Sequence, residues 1–167
     1  GNILLQTPFV LGDDINTANE NLNNCGNSSI RNLIKLLRSN PNFDGYKQTS
    51  MNSNYWRKRT EFDVTLDPRM NYQVFSRIVN SFLKPYPGAR LYVQKDIYLI
   101  VIKVQISNHE NTRANWKNLE HGFVVGHKLN VLTIKIDDAI VDLHLSGEID
   151  AAKIDTLIHP PMFYLTK

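Results

Sequence analysis

The feature that most constrains this chain is Ile97–Ile106, which reads IYLIVIKVQI. Isoleucine, tyrosine, leucine or valine stands at nearly every position. Ile100, Ile102, Val104 and Ile106 then alternate with Val101, Lys103 and Gln105. A run this rich in β-branched residues predicts a central strand, buried on both faces at first and half-exposed later. It follows a Pro85–Gly88 break and ends in a polar stretch over residues 107–120. The segments after it read as strands that pair with it or pack over it.

Those segments alternate in the same way. In residues 130–137, Leu132, Ile134 and Ile136 point inward and Thr133 and Lys135 outward. Residues 140–145 set Val141, Leu143 and Leu145 against Asp142 and His144. Residues 121–125 and 154–158 are shorter candidates. Residues 56–67 begin as Trp-Arg-Lys-Arg and become an alternating strand through Phe62, Val64 and Leu66. Nine positions are expected in the core: Leu91, Val93, Ile100, Ile102, Val104, Leu132, Ile134, Val141 and Leu143.

Two helices interrupt this pattern. Ser28 and Ser29 read as caps for a helix over residues 28–38, with Ile30, Leu33, Ile34 and Leu37 at helical spacing. Asp67-Pro68 reads as the start of a second, with Met70, Val74, Phe75, Ile78, Val79 and Phe82 on one face. Residues 1–27 are rich in Asn, Gly and Asp and read as an irregular N-terminal arm anchored by Phe9, Val10 and Leu11, at home or on a neighbouring subunit. Residues 28–167 form the remaining domain. The expected class is mainly β, an antiparallel jelly-roll β-sandwich with two short inserted helices.

The length of 167 residues suits a single core, and the formal charge of +3 permits nucleic-acid contact without demanding it. One cysteine, Cys25, precludes an internal disulfide and points to a reducing compartment. No apolar run is long enough to span a bilayer, and the first residues lack the pattern of a signal peptide. Leu5 stands where a myristoylation signal wants Ser or Thr.

Catalytic signals are weak throughout. Cys25 lies in an Asn-rich stretch with no base in view. His121 and His127 lack the further ligands of a zinc site. Asp142 and His144 share a strand face, as a dyad would, but polar residues on an outer face are the ordinary reading. Asp137-Asp138 reads as a turn. No phosphate loop or nucleophile elbow is present. No cofactor and no metal are expected. The best binding candidate is Trp56, Arg57, Lys58 and Arg59, with Tyr55 before them. Aromatic and basic residues together can stack a base and neutralise phosphates; the plainer reading is a solvated charge cluster with its Trp in the core.

Several segments, in this order, resemble the capsid proteins of insect picorna-like viruses of the dicistrovirus and iflavirus type. Residues 28–38 (SSIRNLIKLLR) are similar to a segment near the start of a coat subunit. Residues 82–93 (FLKPYPGARLYV) resemble a helix-to-strand passage. Residues 121–125 (HGFVV) with 130–136 (NVLTIKI), then Ser146-Gly147 and Pro160-Pro161-Met162, resemble the closing strands. Pro87-Gly88 replaces the family's Arg-Gly, and Glu148-Ile149-Asp150 stands where some subunits carry a cleavage motif. The resemblance spans residues 28–162. It implies a structural capsid subunit, not an enzyme, that assembles with sister subunits into an icosahedral shell around genomic RNA. It implies location in the virion, and in host cytoplasm during assembly. Two other readings stay open: a small basic nucleic-acid-binding or matrix-type viral protein, and a β-sandwich carbohydrate-binding module or hydrolase.

Overall fold

The computed structural model describes residues 1–49, 53–94, 96–108, 116–150, 154 and 158. They fall into two compact units, Gly1–Lys58 and Arg59–Lys167.

The first unit is built on helix α1, Ile15–Ser39. It begins at Asp14, whose carboxylate accepts from the backbone N–H groups of Asn16 (2.8 Å) and Thr17 (2.9 Å). It ends at Asn40, just before Pro41, with Arg38 in the last turn, where the helix dipole favours a cation. An extended segment, residues 1–12, is bonded to the helix. Asn21 donates to the Val10 carbonyl (2.9 Å), the Cys25 thiol lies 3.8 Å from the Thr7 carbonyl, and the Ser29 and Thr7 hydroxyls are hydrogen-bonded to each other (2.9 Å). Asn21, Cys25 and Ser29 are four residues apart, so one helix face holds the strap. At its start, Ile3 and Tyr46 exchange a pair of backbone hydrogen bonds.

α1 corrects the expected division at residues 27 and 28, because it runs through that boundary unbroken. Residues 15–27 are helical despite their many asparagines. Asp14 satisfies the first N–H groups, and Ile15, Ala18, Leu22 and Cys25 continue the helical spacing of the residues beyond. Ser28 and Ser29 are not caps. Both hydroxyls donate back to the Cys25 carbonyl at 2.8 Å, as serine does inside a helix.

The second unit carries one six-stranded sheet in the order β1-β2-β3-β6-β5-β4. The strands are β1 Thr65–Leu66, β2 Ala89–Gln94, β3 Ile97–Ile106, β4 Val124–Lys128, β5 Val131–Lys135 and β6 Ile140–Leu145. β1 runs parallel to β2, and every other pair is antiparallel. Helix α2, Tyr72–Ser81, packs on β3. Its Phe75 and Val79 are fully buried, with Leu66, Ala89, Leu91, Val101, Leu132, Ile134, Val141 and Leu143 of the sheet. Gly88, at φ +88°, lets the chain enter β2; a Cβ there would lie 2.5 Å from the Ile100 side chain.

The protein is thus mainly β with two helices. The described strands form a single mixed sheet, not the two stacked antiparallel sheets of a jelly roll. Several local expectations also change. Residues 61–64 wind into a 3₁₀ turn because Asp63 reaches back to the Thr60 N–H (2.7 Å), leaving only Thr65–Leu66 to pair. α2 starts at Asn71, whose side chain caps Val74 (2.9 Å), while Asp67 is held by Arg69. Val74 turns outward. β3 has the expected bounds but not the expected burial, since none of Ile97–Ile100 is buried. Ile102 is exposed because the register shifts between Val101 and Lys103. Of the candidate strand over residues 154–158, only Ile154 and Ile158 lie among the described residues; Ile158 is buried and donates to the Gly122 carbonyl at 2.9 Å.

Candidate interaction surfaces

Trp56, Arg57, Lys58 and Arg59 lie in a stretch that is neither helix nor strand. Trp56 is 90% exposed and Tyr55 98%, so the tryptophan is not a core residue. Arg57 donates to the Lys58 carbonyl (3.3 Å). Arg59, the first residue of the second unit, has its guanidinium 5.5 Å from the centre of the Phe82 ring. The structure therefore splits the cluster: Arg59 is committed to its own unit, and Tyr55 and Trp56 face water.

The first unit also exposes several large apolar side chains. Phe9, Val10 and Leu11, the expected anchors, are all exposed. Leu22, Ile30 and Ile34 of α1 are exposed as well, and none of the helix's 25 residues is buried. The strap and helix meet through polar bonds made by Asn21, Cys25 and Ser29; Ile15, Leu33, Leu36 and Leu37 are half-buried, and no residue of the helix is fully buried.

A second surface lies on β2 and β3. The register sets Tyr92 opposite Tyr98 and Arg90 opposite Ile100, so these four share a face. The tyrosine rings are 5.5 Å apart. The Arg90 guanidinium lies 4.6 Å from the Tyr98 ring centre and 3.6 Å from the Glu61 carboxylate. This grouping needs the hairpin register, which residue spacing alone does not supply.

Of the polar candidates of the second unit, Asp142, Asp138 and His121 have structural partners and His144 Nε2 does not. Asp142 accepts from the Thr133 hydroxyl (2.7 Å), and His144 Nε2 is buried without a hydrogen-bond partner. Asp138 accepts from the Tyr72 N–H (2.7 Å), capping α2. His121 Nε2 lies 3.6 Å from the Asp137 carboxylate. Cys25 meets carbonyls and the Ser29 hydroxyl, not a base. Among the described residues, no three His, Cys, Asp or Glu side chains converge as a metal site would require.

One residue was missed by its alternation pattern. Lys135, expected to point outward, is 2% exposed. Its ammonium donates to the Ile136 carbonyl and to the Asp137 carbonyl (2.7 Å), 5.0 Å from the Trp116 ring centre. Burial pushes its pKa down, and the nearby Asp137 and Asp138 carboxylates partly oppose that.

No protein-family model matches the chain, and no curated protein matches it. Among solved structures it is similar to HypX from Aquifex aeolicus. One double variant of HypX superposes with a TM-score of 0.50 at 14% identity, covering 80% of this chain and 21% of HypX. A quadruple variant gives a TM-score of 0.50 at 15% identity, covering 94% of this chain and 25% of HypX. At such identity the likeness concerns the fold alone, and this chain spans at most a quarter of that protein. No helix among the described residues is long and apolar enough to cross a membrane.

Proposed function

We propose that this chain is an assembly module without chemistry of its own, and that its N-terminal unit docks onto a further protein body. One observation carries this: α1 runs for 25 residues with none buried. Most helical stability in proteins comes from packing an amphipathic face, and ordering a residue's backbone costs about 1–2 kcal/mol. A strap and helix bearing exposed Phe9, Leu11, Leu22, Ile30 and Ile34 recover that cost by burying those side chains elsewhere. The recurrence of this fold as a small part of the longer HypX chain agrees with a module inside a larger body. A coat subunit is a more specific form of the same reading. Its support is the sequence resemblance, and the single mixed sheet adds nothing to it.

Hydrogen exchange on the 167-residue chain alone tests the proposal. Amides of α1 should exchange far faster than those of β5 and β6, and Ile30→Asp should leave the unfolding midpoint of the sheet unchanged. An α1 as protected as β6 in a monomeric chain would overturn the docking role. Sedimentation tests the coat form, which requires particles far above the 19.2 kDa chain.

A second reading has its own observation, the exposed Tyr55 and Trp56 beside Arg57 and Lys58. These can stack bases of a single strand. Titrating oligouridylate should then quench the Trp56 fluorescence with an affinity that falls steeply with salt. Unchanged fluorescence at low salt would remove this reading.

A further inference from the structure

β3 poses a mismatch between residue type and burial. Ile97, Tyr98, Leu99 and Ile100 are all apolar, yet none is buried, and Tyr98 is 39% exposed. Strands apolar at consecutive positions are normally covered on both faces. Here one face meets the core through Leu91 and Val101, while Arg90, Tyr92, Tyr98 and Ile100 stand on the other. On β5 and β6 that second face carries Thr133, Asp142 and His144 instead, while their apolar Leu132, Ile134, Val141 and Leu143 lie on the core face, so the uncovered apolar stretch is local to β2 and β3.

We propose that a second copy of this chain covers this face, with the two β2–β3 hairpins packed together around a two-fold axis. The charge pattern selects the partner. Glu61 lies 3.6 Å from Arg90 Nη1, so the one guanidinium among these residues already faces a carboxylate, although its Nε is buried without a hydrogen-bond partner. A surface matched within itself has little attraction for phosphate, which disfavours nucleic acid. It can also meet its own copy without opposing like charges, as an isologous contact requires. Tyrosine and arginine are the residue types that dominate the energetics of protein interfaces. The Arg90 guanidinium already lies over the Tyr98 ring, so both are presented in one place and docking has less side-chain freedom left to remove. This contact lies within the second unit and does not depend on the docking of the first.

Sedimentation equilibrium on the full chain tests it. The expected mass is twice the 19.2 kDa of one chain. Tyr98→Glu should weaken the dimer at least tenfold while circular dichroism keeps its strand signal. Ile102→Lys, at a residue already exposed, should weaken it too, and it stands in should Tyr98→Glu fail to fold. Leu22→Asp on α1 should leave the dimer intact. A monomeric wild-type chain would overturn the proposal. So would a folded Tyr98→Glu or Ile102→Lys chain that dimerises as tightly as wild type, or a dimer lost only with Leu22→Asp.

Discussion

Lys135 holds an ammonium at the buried end of β5, where the Ile136 and Asp137 carbonyls and the Trp116 ring replace its water. Desolvation is the larger influence, so the folded protein holds this proton less tightly than the unfolded chain, whose value is 10.5. In the window between the lowered folded pKa and 10.5 the unfolded chain binds more protons. Stability contributed by this residue therefore rises with pH across that window, and below it the cost of the buried charge is fully present. Urea midpoints measured from pH 8 upward should show this increment in the wild type and lose it in Lys135→Met. At neutral pH the same substitution should change stability by no more than about 1–2 kcal/mol, since relieving the charge offsets the loss of two hydrogen bonds. Gly122 is the opposite case, a residue with no freedom to change. Its φ is +89°, and a Cβ there would run into the Ile158 carbonyl oxygen. Gly122→Ala should lower stability by about 2–4 kcal/mol, read from the denaturant midpoint, because backbone must move as well as strain.

The two helices stand in different relations to a core. α2 spends Phe75 and Val79 on the sheet and keeps Val74 outside. Phe75→Ala should cost about 3–5 kcal/mol in urea unfolding, the range for a buried phenylalanine. Val74→Ala should stay within about 0.5 kcal/mol. α1 has comparable helical spacing and no core to meet. Its strength comes from the Asp14 cap and from polar bonds to the strap. Hydrogen bonds to a folded partner segment hold the helix in place, but they supply little net stability in water. Its apolar stripe is therefore where binding energy is still to be gained, which is why the docking role rests on this element.

At the scale of the molecule, the two units should differ in autonomy. The Arg59–Lys167 unit contains every fully buried side chain among the described residues. Expressed alone, it should keep its strand signal and unfold cooperatively with a midpoint close to that of the whole chain. Gly1–Lys58 alone should lose most of its helical circular dichroism, because most of a helix's stability in a protein comes from packing an amphipathic face, and α1 has no buried residue. Retained helicity in the short piece would mean that the strap and caps suffice. It would then remove the energetic argument for a docking partner.

Local periodicity determined much of the second unit. Period-two runs located β3 and β6 with the bounds the structure shows, and β5 within two residues of its ends. Side-chain alternation is a property of the strand itself, so it survives in any tertiary setting. The same residues could not say which strands become neighbours. Alternation assigns faces but not partners, and the parallel pairing of β1 with β2, the order of the sheet and the bulge beside Ile102 are settled by long-range contacts. Lys135 shows the limit most clearly: its place on the strand was legible, but the Trp116 ring and the carbonyls of the following turn decided that a lysine could be buried there. Exposed apolar surface was beyond reach for the same reason. The apolar residues on the exposed side of α1, and Tyr98 and Ile100 of β3, ask for burial, and only the folded chain shows that its own core does not fully provide it.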